Sequence, residues 1–423
     1  MPRSPSQQIA AVALAGLMIA VAACSSDTAA PPTSTGAPTT VPVARVDDGV
    51  LTIGVLKPQG SANADIGQAI GAAVQLAVNK INAAGGYNDR GVVLVTADEG
   101  VAGVGVDPAI ATLLDAHVDA IIGPASSTNA LAGLGEIVDA GVVSCSPTAS
   151  ASTLDKFPDH DLFFRTIPSD SLQALAIAEA VDRTGAGRAT VTYIDDTYGQ
   201  AFNDTINASL LRKGIEPTQA VPYSADNESI RAAAGRVASL AAGVVVVIGD
   251  STSGPVMLGA IDQGAGSLHP IYVVNDAMRR PTASAEPMGG SLASRVTGVS
   301  PIAFSTDAEF LAQVGATPDN PSPYAANAFD CVNLVALAAL VGHSTQPEVI
   351  ASLIPSISDG GSPCMSFAAC RTDIEAGSNI NYDGPGGTLT IGSDGDLVIG
   401  QFEVFGFDEN GRDIDKGTIQ VRA

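Results

Sequence analysis

The sequence predicts an α/β protein built of two lobes, each a doubly wound parallel sheet. Three observations carry this. Short apolar runs alternate with helical runs of ten to fifteen residues, the signature of parallel βαβ units with helices on both faces. The alternation restarts after Phe163-Phe-Arg-Thr-Ile-Pro168, which divides it into two lobes. Val244-Val-Val-Val-Ile248 is wholly apolar, as a strand buried on both faces must be. The chain has 423 residues, long enough for two or three cores, and 46% of them are apolar, which excludes wholesale disorder. A net charge of −24 argues against a nucleic-acid partner, whose phosphates this surface would repel. It suits a solvated acidic exterior.

The elements follow in order. Arg3 and the 15-residue apolar run Ile9–Ala23 read as a signal peptide over residues 1–23, too short for a membrane span. Val21-Ala-Ala-Cys24-Ser25 resembles the lipobox of bacterial lipoproteins, which would make Cys24 the lipidation site and the membrane a partner through a lipid anchor; an ordinary signal peptide with an incidental Cys is the other reading. Residues 24–47 then form a tether; Ser25 to Ala44 holds eight Ser/Thr and four Pro and cannot build a core. Leu51–Leu56 is a strand. Asp65–Ala83 carries apolar residues at Ile66, Ala69, Ile70, Ala73, Val74, Ala77, Val78 and Ile81, which is helical spacing, stopped by Gly85-Gly86. Val92–Thr96 is a strand, and Asp107-Pro108 opens a helix to about Ala116. Ala120–Gly123 (strand), Thr128–Ala140 (helix) and Val142–Ser146 (strand) complete the first run.

The second run places helices at 170–183, 199–213, 228–241 and 254–263, and strands at 189–194, 218–223, 244–248 and 271–274. Tyr324–Val341 is a long apolar helix. Asp394-Gly395 and Asn410-Gly411 are hairpin dipeptides among 389–391, 397–399 and 402–407, which predicts a small C-terminal antiparallel meander. With Cys24 lipidated, Cys145, Cys331, Cys364 and Cys370 remain, and four cysteines allow three connectivities. Cys364 and Cys370 bracket a five-residue loop and are the first pair to expect; Cys145 with Cys331 would then be a long-range staple. No zinc spacing is present, and no metal or cofactor is expected.

Enzyme motifs are missing. There is no G-x-S-x-G elbow and no nucleotide-binding Gly-rich Lys loop. The four histidines, at 117, 160, 269 and 343, are scattered. What the strand ends carry instead are hydroxyls and acids. In open α/β sheets ligands bind beyond the carboxyl ends of strands. Gly123-Pro-Ala-Ser-Ser-Thr128 opens a helix there, and its amides with Ser127 suit a carboxylate, although helix capping explains the same residues. Ser146-Pro-Thr-Ala-Ser150, Asp195-Asp-Thr-Tyr198-Gly199 and Asp276 occupy equivalent ends. Asp276 could pair with an ammonium or be a loop acid. The pairs Asp98-Glu99 and Asp195-Asp196 could be site residues or caps.

Ile81-Asn-Ala-Ala-Gly-Gly86, Asp107-Pro108, Gly123-Pro-Ala-Ser-Ser127, Phe164-Arg165 with Pro168-Ser-Asp170, and Tyr198-Gly199 occur in one order. With the strand near Val244 they resemble the leucine/isoleucine/valine-binding group of type I periplasmic binding proteins, the receptors of branched-chain amino-acid ABC importers. The resemblance spans about Val50 to Phe407. It implies two lobes joined by a hinge, 48–166 with 297–345 as lobe 1 and 167–296 with 346–423 as lobe 2. It implies a lipid-anchored extracytoplasmic receptor that closes on a small amino acid and delivers it to an ABC permease. The ligand set it implies is Ser126, Ser127, Thr148 and Ser150 from the first lobe, Tyr198 from the second, and Asp276 for the amine. The sequence departs from the family at Lys57–Asn63, which lacks the aromatic that covers the ligand side chain. It departs again at Gly249-Asp250-Ser251, where a charge replaces an aromatic. A more polar solute, or a non-amino-acid one such as an amide, a small carboxylate or an aromatic acid, for transport or signalling, is the alternative.

Overall fold

A computed structural model describes residues 47–60, 63–101, 104–279, 290–317, 320–408 and 410–423. Residues 1–46, on which the expected signal peptide, Cys24 lipidation site and most of the expected tether fall, lie outside the described residues.

The first lobe runs β1 (Thr52–Lys57), α1 (Ala64–Ala83), β2 (Val93–Asp98), α2 (Asp107–Asp115), β3 (Ala120–Ile122), α3 (Ser127–Asp139), β4 (Val143–Ser146) and β5 (Phe163–Arg165). Its sheet has the order β2-β1-β3-β4-β5 with every pairing parallel. Four consecutive residues of β1 are buried because helices cover both faces. α1 buries Ala69, Ile70, Ala73, Val74, Ala77, Val78 and Ile81, one stripe of a 3.6-residue period. α2 and α3 cover the other face through Ile110, Leu113 and Ile137.

The second lobe runs α4 (Asp170–Asp182), β6 (Arg188–Ile194), α5 (Thr197–Arg212), β7 (Glu216–Pro217), β8 (Val221–Tyr223), α6 (Asn227–Leu240), β9 (Val244–Ile248), α7 (Ser253–Ala265), β10 (Ile271–Val274), α8 (Gly290–Ala293) and β11 (Val296–Pro301). After it come α9 (Ala308–Gln313), α10 (Ala325–Gly342), α11 (Pro347–Ile357), β12 (Ser362–Cys364), α12 (Phe367–Glu375), β13 (Ile380–Tyr382), β14 (Ile399–Phe407) and β15 (Asp413–Arg422). The second sheet has the order β15-β14-β11-β10-β9-β6-β7, with β8 also on β6.

Three expectations need correction. Residues 297–301 belong to the second lobe's sheet, since β11 pairs with β10 in parallel and with β14 antiparallel. Residues 347–382 pack on the first lobe rather than the second, α11 against α10 and β4, α12 against α1 and α10. The reason lies in α10. From Ala325 to Leu340 every residue is buried, so the helix needs partners on all sides, and the Ile350/Ile354/Ile357 stripe of α11 supplies one. The helix is long and apolar enough to cross a membrane, but 89% of it is buried inside the protein.

The C-terminal meander is instead one hairpin, β14–β15, added antiparallel to the edge of the large sheet. Around the Asp394-Gly395 turn the expected pairing shrinks to one antiparallel bridge, Ile391 to Leu397, with Val398 N donating to Thr390 O and Gly392 N to Asp396 O, while Leu389 N and Ile391 N donate to the Asp383 carboxylate and the Ser358 hydroxyl. The Asp394-Gly395 turn docks on β5, where Gly395 O accepts from Arg165 N at 3.0 Å. Both expected disulfides are present. Cys145–Cys331 ties β4 to α10, and Cys364–Cys370 ties β12 to α12.

Candidate functional site

The first-lobe turn after β3 is shaped by β4. Ser144, Ser146 and Thr148 alternate, so their hydroxyls fall on one side. They donate in register to the carbonyls of Gly123 (2.7 Å), Pro124 (2.6 Å) and Ala125 (2.6 Å). Gly123 has φ +119°, and a Cβ there would meet Leu56 O at 2.2 Å, so only glycine fits. The turn leads into α3, whose cap Ser126 accepts from Asn129 N.

Between the lobes lies a cleft of about 240 Å³, smaller than the roughly 300–1,000 Å³ of drug-sized pockets. Ser126, Ser127, Thr148 and Ser150 line it from one lobe and Asp276 from the other, with Tyr324 from a crossing segment. A neighbouring cavity of about 260 Å³ shares Ser127 and is lined by Tyr198 and Asp170. The structure therefore brings five of the six expected residues to one cleft and places Tyr198 next door. Asp250 does not line either cavity; it caps α7 by accepting from Thr252 N and Ser253 N. Asp196 caps α5 through Gly199 N. Where the covering aromatic is absent, Pro58, Asn63 and Ile66 line the cleft.

Asp276 sits in a short turn after β10 and accepts from Gln173 Nε2 at 2.7 Å. Burial pushes its carboxyl above the usual range, while the Gln173 bond and Arg279 oppose the shift. Arg279 is held by Asp413 at 2.9 Å and by Glu403. Asp170, the first residue of α4, is buried, and its amide donates to Ser150 O at 2.8 Å. Burial, then the charge of Asp276, hold it well above the ordinary carboxyl value. Tyr198 is 38% exposed as a residue; burial of its hydroxyl first, then the charge of Asp170, push its pKa well above the ordinary value.

Among the described residues, no Lys or Arg lines either cavity. On the opposite wall the Thr148 hydroxyl proton is committed to Ala125 O, so Thr148 offers lone pairs. The remaining donors are at Ser127 and Thr128, whose amides make none of the described hydrogen bonds. Glu99 lines the same cleft, and its carboxylate accepts from Ala125 N at 2.7 Å and Ser126 N at 3.2 Å. Sequence reasoning gave no role to Asp170, Gln173 or Tyr324. It raised Glu99 only as half of an acid pair. Asp170 stands in the sequence only inside the Pro168-Ser-Asp170 motif and as the first residue of a helix.

The sequence profile of a family described as periplasmic binding protein matches residues 50–411. The chain belongs to the periplasmic binding protein family. Within it, the chain is 28% identical over 329 residues to the chemotactic signal transduction system substrate-binding protein BasB of Halobacterium salinarum, covering 75% of this chain and 77% of that one. A Desulfitobacterium hafniense ABC transporter substrate-binding protein, solved in complex with Leu, superposes with a TM-score of 0.65 at 20% identity, covering 86% of this chain and 99% of that one. An R. palustris ABC-transporter solute-binding protein, solved with benzoate, superposes with a TM-score of 0.63 at 15% identity, covering 89% and 98%. These periplasmic binding proteins share the two-lobed type I fold and are substrate-binding proteins rather than enzymes.

Proposed function

We propose that this periplasmic binding protein captures a small amino acid between its lobes and delivers it to an ABC permease, held to the membrane by a lipid on Cys24. The carrying observation is the split polarity of the cleft. The acids are Asp276, which lines the cleft, and Asp170, which lines the adjoining cavity, and among the described residues no Lys or Arg lines either. The donors are the hydroxyl of Ser127, which borders both cavities, and the amides of Ser127 and Thr128 at the α3 N-terminus, which make none of the described hydrogen bonds. A zwitterion satisfies both sets, and a buried charge left unpaired costs several kcal/mol. In this reading Asp276, Asp170 and the Thr148 lone pairs hold the ammonium. Ser127 and Thr128 hold the carboxylate, Ser126 fixes the helix start, Ser150 sets Asp170, and Tyr198 closes from the second lobe. Because the wall comes from both lobes, bound solute favours the closed arrangement by its differential affinity.

The test is a thermal-shift screen of the purified protein against the twenty L-amino acids, simple amides, acetate and benzoate. A solute at 100 times its Kd adds about 2.7 kcal/mol. A shift with a subset of amino acids supports the reading. A shift only with benzoate or acetate overturns the ammonium role of Asp276. The resemblance to BasB makes a signalling partner the alternative to a permease.

A further inference from the structure

The α3 N-terminus, where the solute carboxylate docks in the proposed function, already holds an anion of the protein's own. The Glu99 carboxylate reaches over from the end of β2 and takes the amides of Ala125 and Ser126. The residue is 2% exposed and lines the cleft beside Ser126 and Ser127. Its backbone is pinned as well, since Asn129 Nδ2 donates to Glu99 O at 3.2 Å. A solute carboxylate on Ser127 and Thr128 would therefore be one residue along the same turn from a second carboxylate. Two such charges in a poorly solvated site do not both stay ionised.

We propose that Glu99 makes capture of a carboxylate-bearing solute proton-linked, taking up one proton from solvent as the solute binds and then donating its O–H to the solute carboxylate. The inference rests on the amino-acid reading above. No bond breaks; the proton comes from water and returns to it on release.

The surroundings are consistent. Burial raises the Glu99 carboxyl to about 7, with the two amide bonds opposing and Asp98 adding to the rise. Asp98 lies beside it on β2 and faces Gln59 N and Gly100 N. From α3 the groups facing Glu99 are the amides and Asn129. Across the cleft stand Asp276 and the Tyr324 hydroxyl, and from the α1 side Asn63. Among the described residues no histidine lines the cleft, and an amino acid's own amine does not titrate near neutrality.

The test measures affinity at pH 6, 7 and 8 for each amino acid that shifts the melting temperature, with the heat of binding taken in two buffers of different ionisation enthalpy to count protons. The expected result is a Kd about tenfold weaker at pH 8 than at pH 6, with close to one proton taken up at pH 8. Glu99→Gln mimics the protonated acid and should bind at pH 8 as the native protein does at pH 6, with no pH dependence. An affinity that is flat with pH, or a proton count near zero, overturns the proposal and leaves the amino-acid reading standing. An affinity that rises with pH also overturns it, since that sign belongs to Asp170 and Asp276 ionising to meet an ammonium. Failure of every amino acid to bind at any pH overturns both. The native pH series and the proton count do not depend on the variant folding.

Discussion

Replacing Arg165 by leucine should destabilise the protein by about 3 kcal/mol and loosen the cleft. Arg165 is fully buried at the point where the chain leaves the first lobe. Its Nε and Nη2 grip Asp396 at 2.6 and 2.5 Å, Nη2 also meets Asp155 at 2.7 Å, and Nη1 donates to Ala151 O at 3.1 Å. Breaking a buried pair by removing one partner costs about 3–5 kcal/mol, because the other charge stays behind. Here two carboxylates stay behind. Asp155 keeps the hydroxyls of Ser169 and Ser171, both at 2.6 Å, and the side chains of Asp155 and Asp396 are 20% and 16% exposed, so the lower end of that range applies. The effect reaches the site because Ala151 borders the Thr148–Ser150 loop. Urea unfolding followed by circular dichroism measures the loss, and the thermal-shift hit measured in parallel should bind more weakly. Arg165→Lys, unable to grip Asp396 with two donors, should fall between. A midpoint change worth less than about 1 kcal/mol at unchanged slope would refute the reasoning.

Asp276→Asn keeps an acceptor for Gln173 and should leave the melting temperature of the free protein nearly unchanged. Its affinity for any amino acid found by the screen should fall at least about 100-fold, a loss of about 3 kcal/mol; retained affinity would remove the ammonium role. Loss of Cys145–Cys331, whose ends are 186 residues apart, should cost up to about 5 kcal/mol by loop-closure entropy, and loss of Cys364–Cys370, 6 apart, only about 2. Paired serine variants compared by urea unfolding check the order, and a reversed order refutes the entropic account. Asp330, buried in α10 between the Tyr382 hydroxyl (2.8 Å) and Gly386 N (2.9 Å), is pushed by burial to about 8. The native state thus holds a proton that the unfolded chain, near 3.8, gives up. Asp330 therefore makes stability fall as pH rises between those values, by at most about 1.4 kcal/mol per unit, and Asp330→Asn should flatten that fall. An unchanged slope in the variant would sink the assignment.

Much of the architecture is local. The apolar run at 244–248, the 3.6-residue stripe at 69–81 and the Asp107-Pro108 start each fix their element through side-chain period or backbone preference, and the ordered turns at 123–128 and 146–150 placed the hydroxyl side of the cleft. Cys364 and Cys370 needed only their short loop. What failed was set by contacts distant in sequence. Nothing near 347–382 states that α10 is apolar on all sides and needs covering, so the segment's lobe was misassigned. The dipeptide at 394–395 encodes a turn, but docking on β5 decided what the turn does. The site divides the same way. Strand ends and small hydroxyls are visible in one dimension. That Glu99 crosses to the amides of Ala125 and Ser126, that Ser150 O takes the Asp170 amide, and that the Asp276 cleft adjoins the Asp170 cavity through Ser127 are decided only when distant segments meet. Charge and hydrogen bonding act through space, and the sequence orders residues only along the chain.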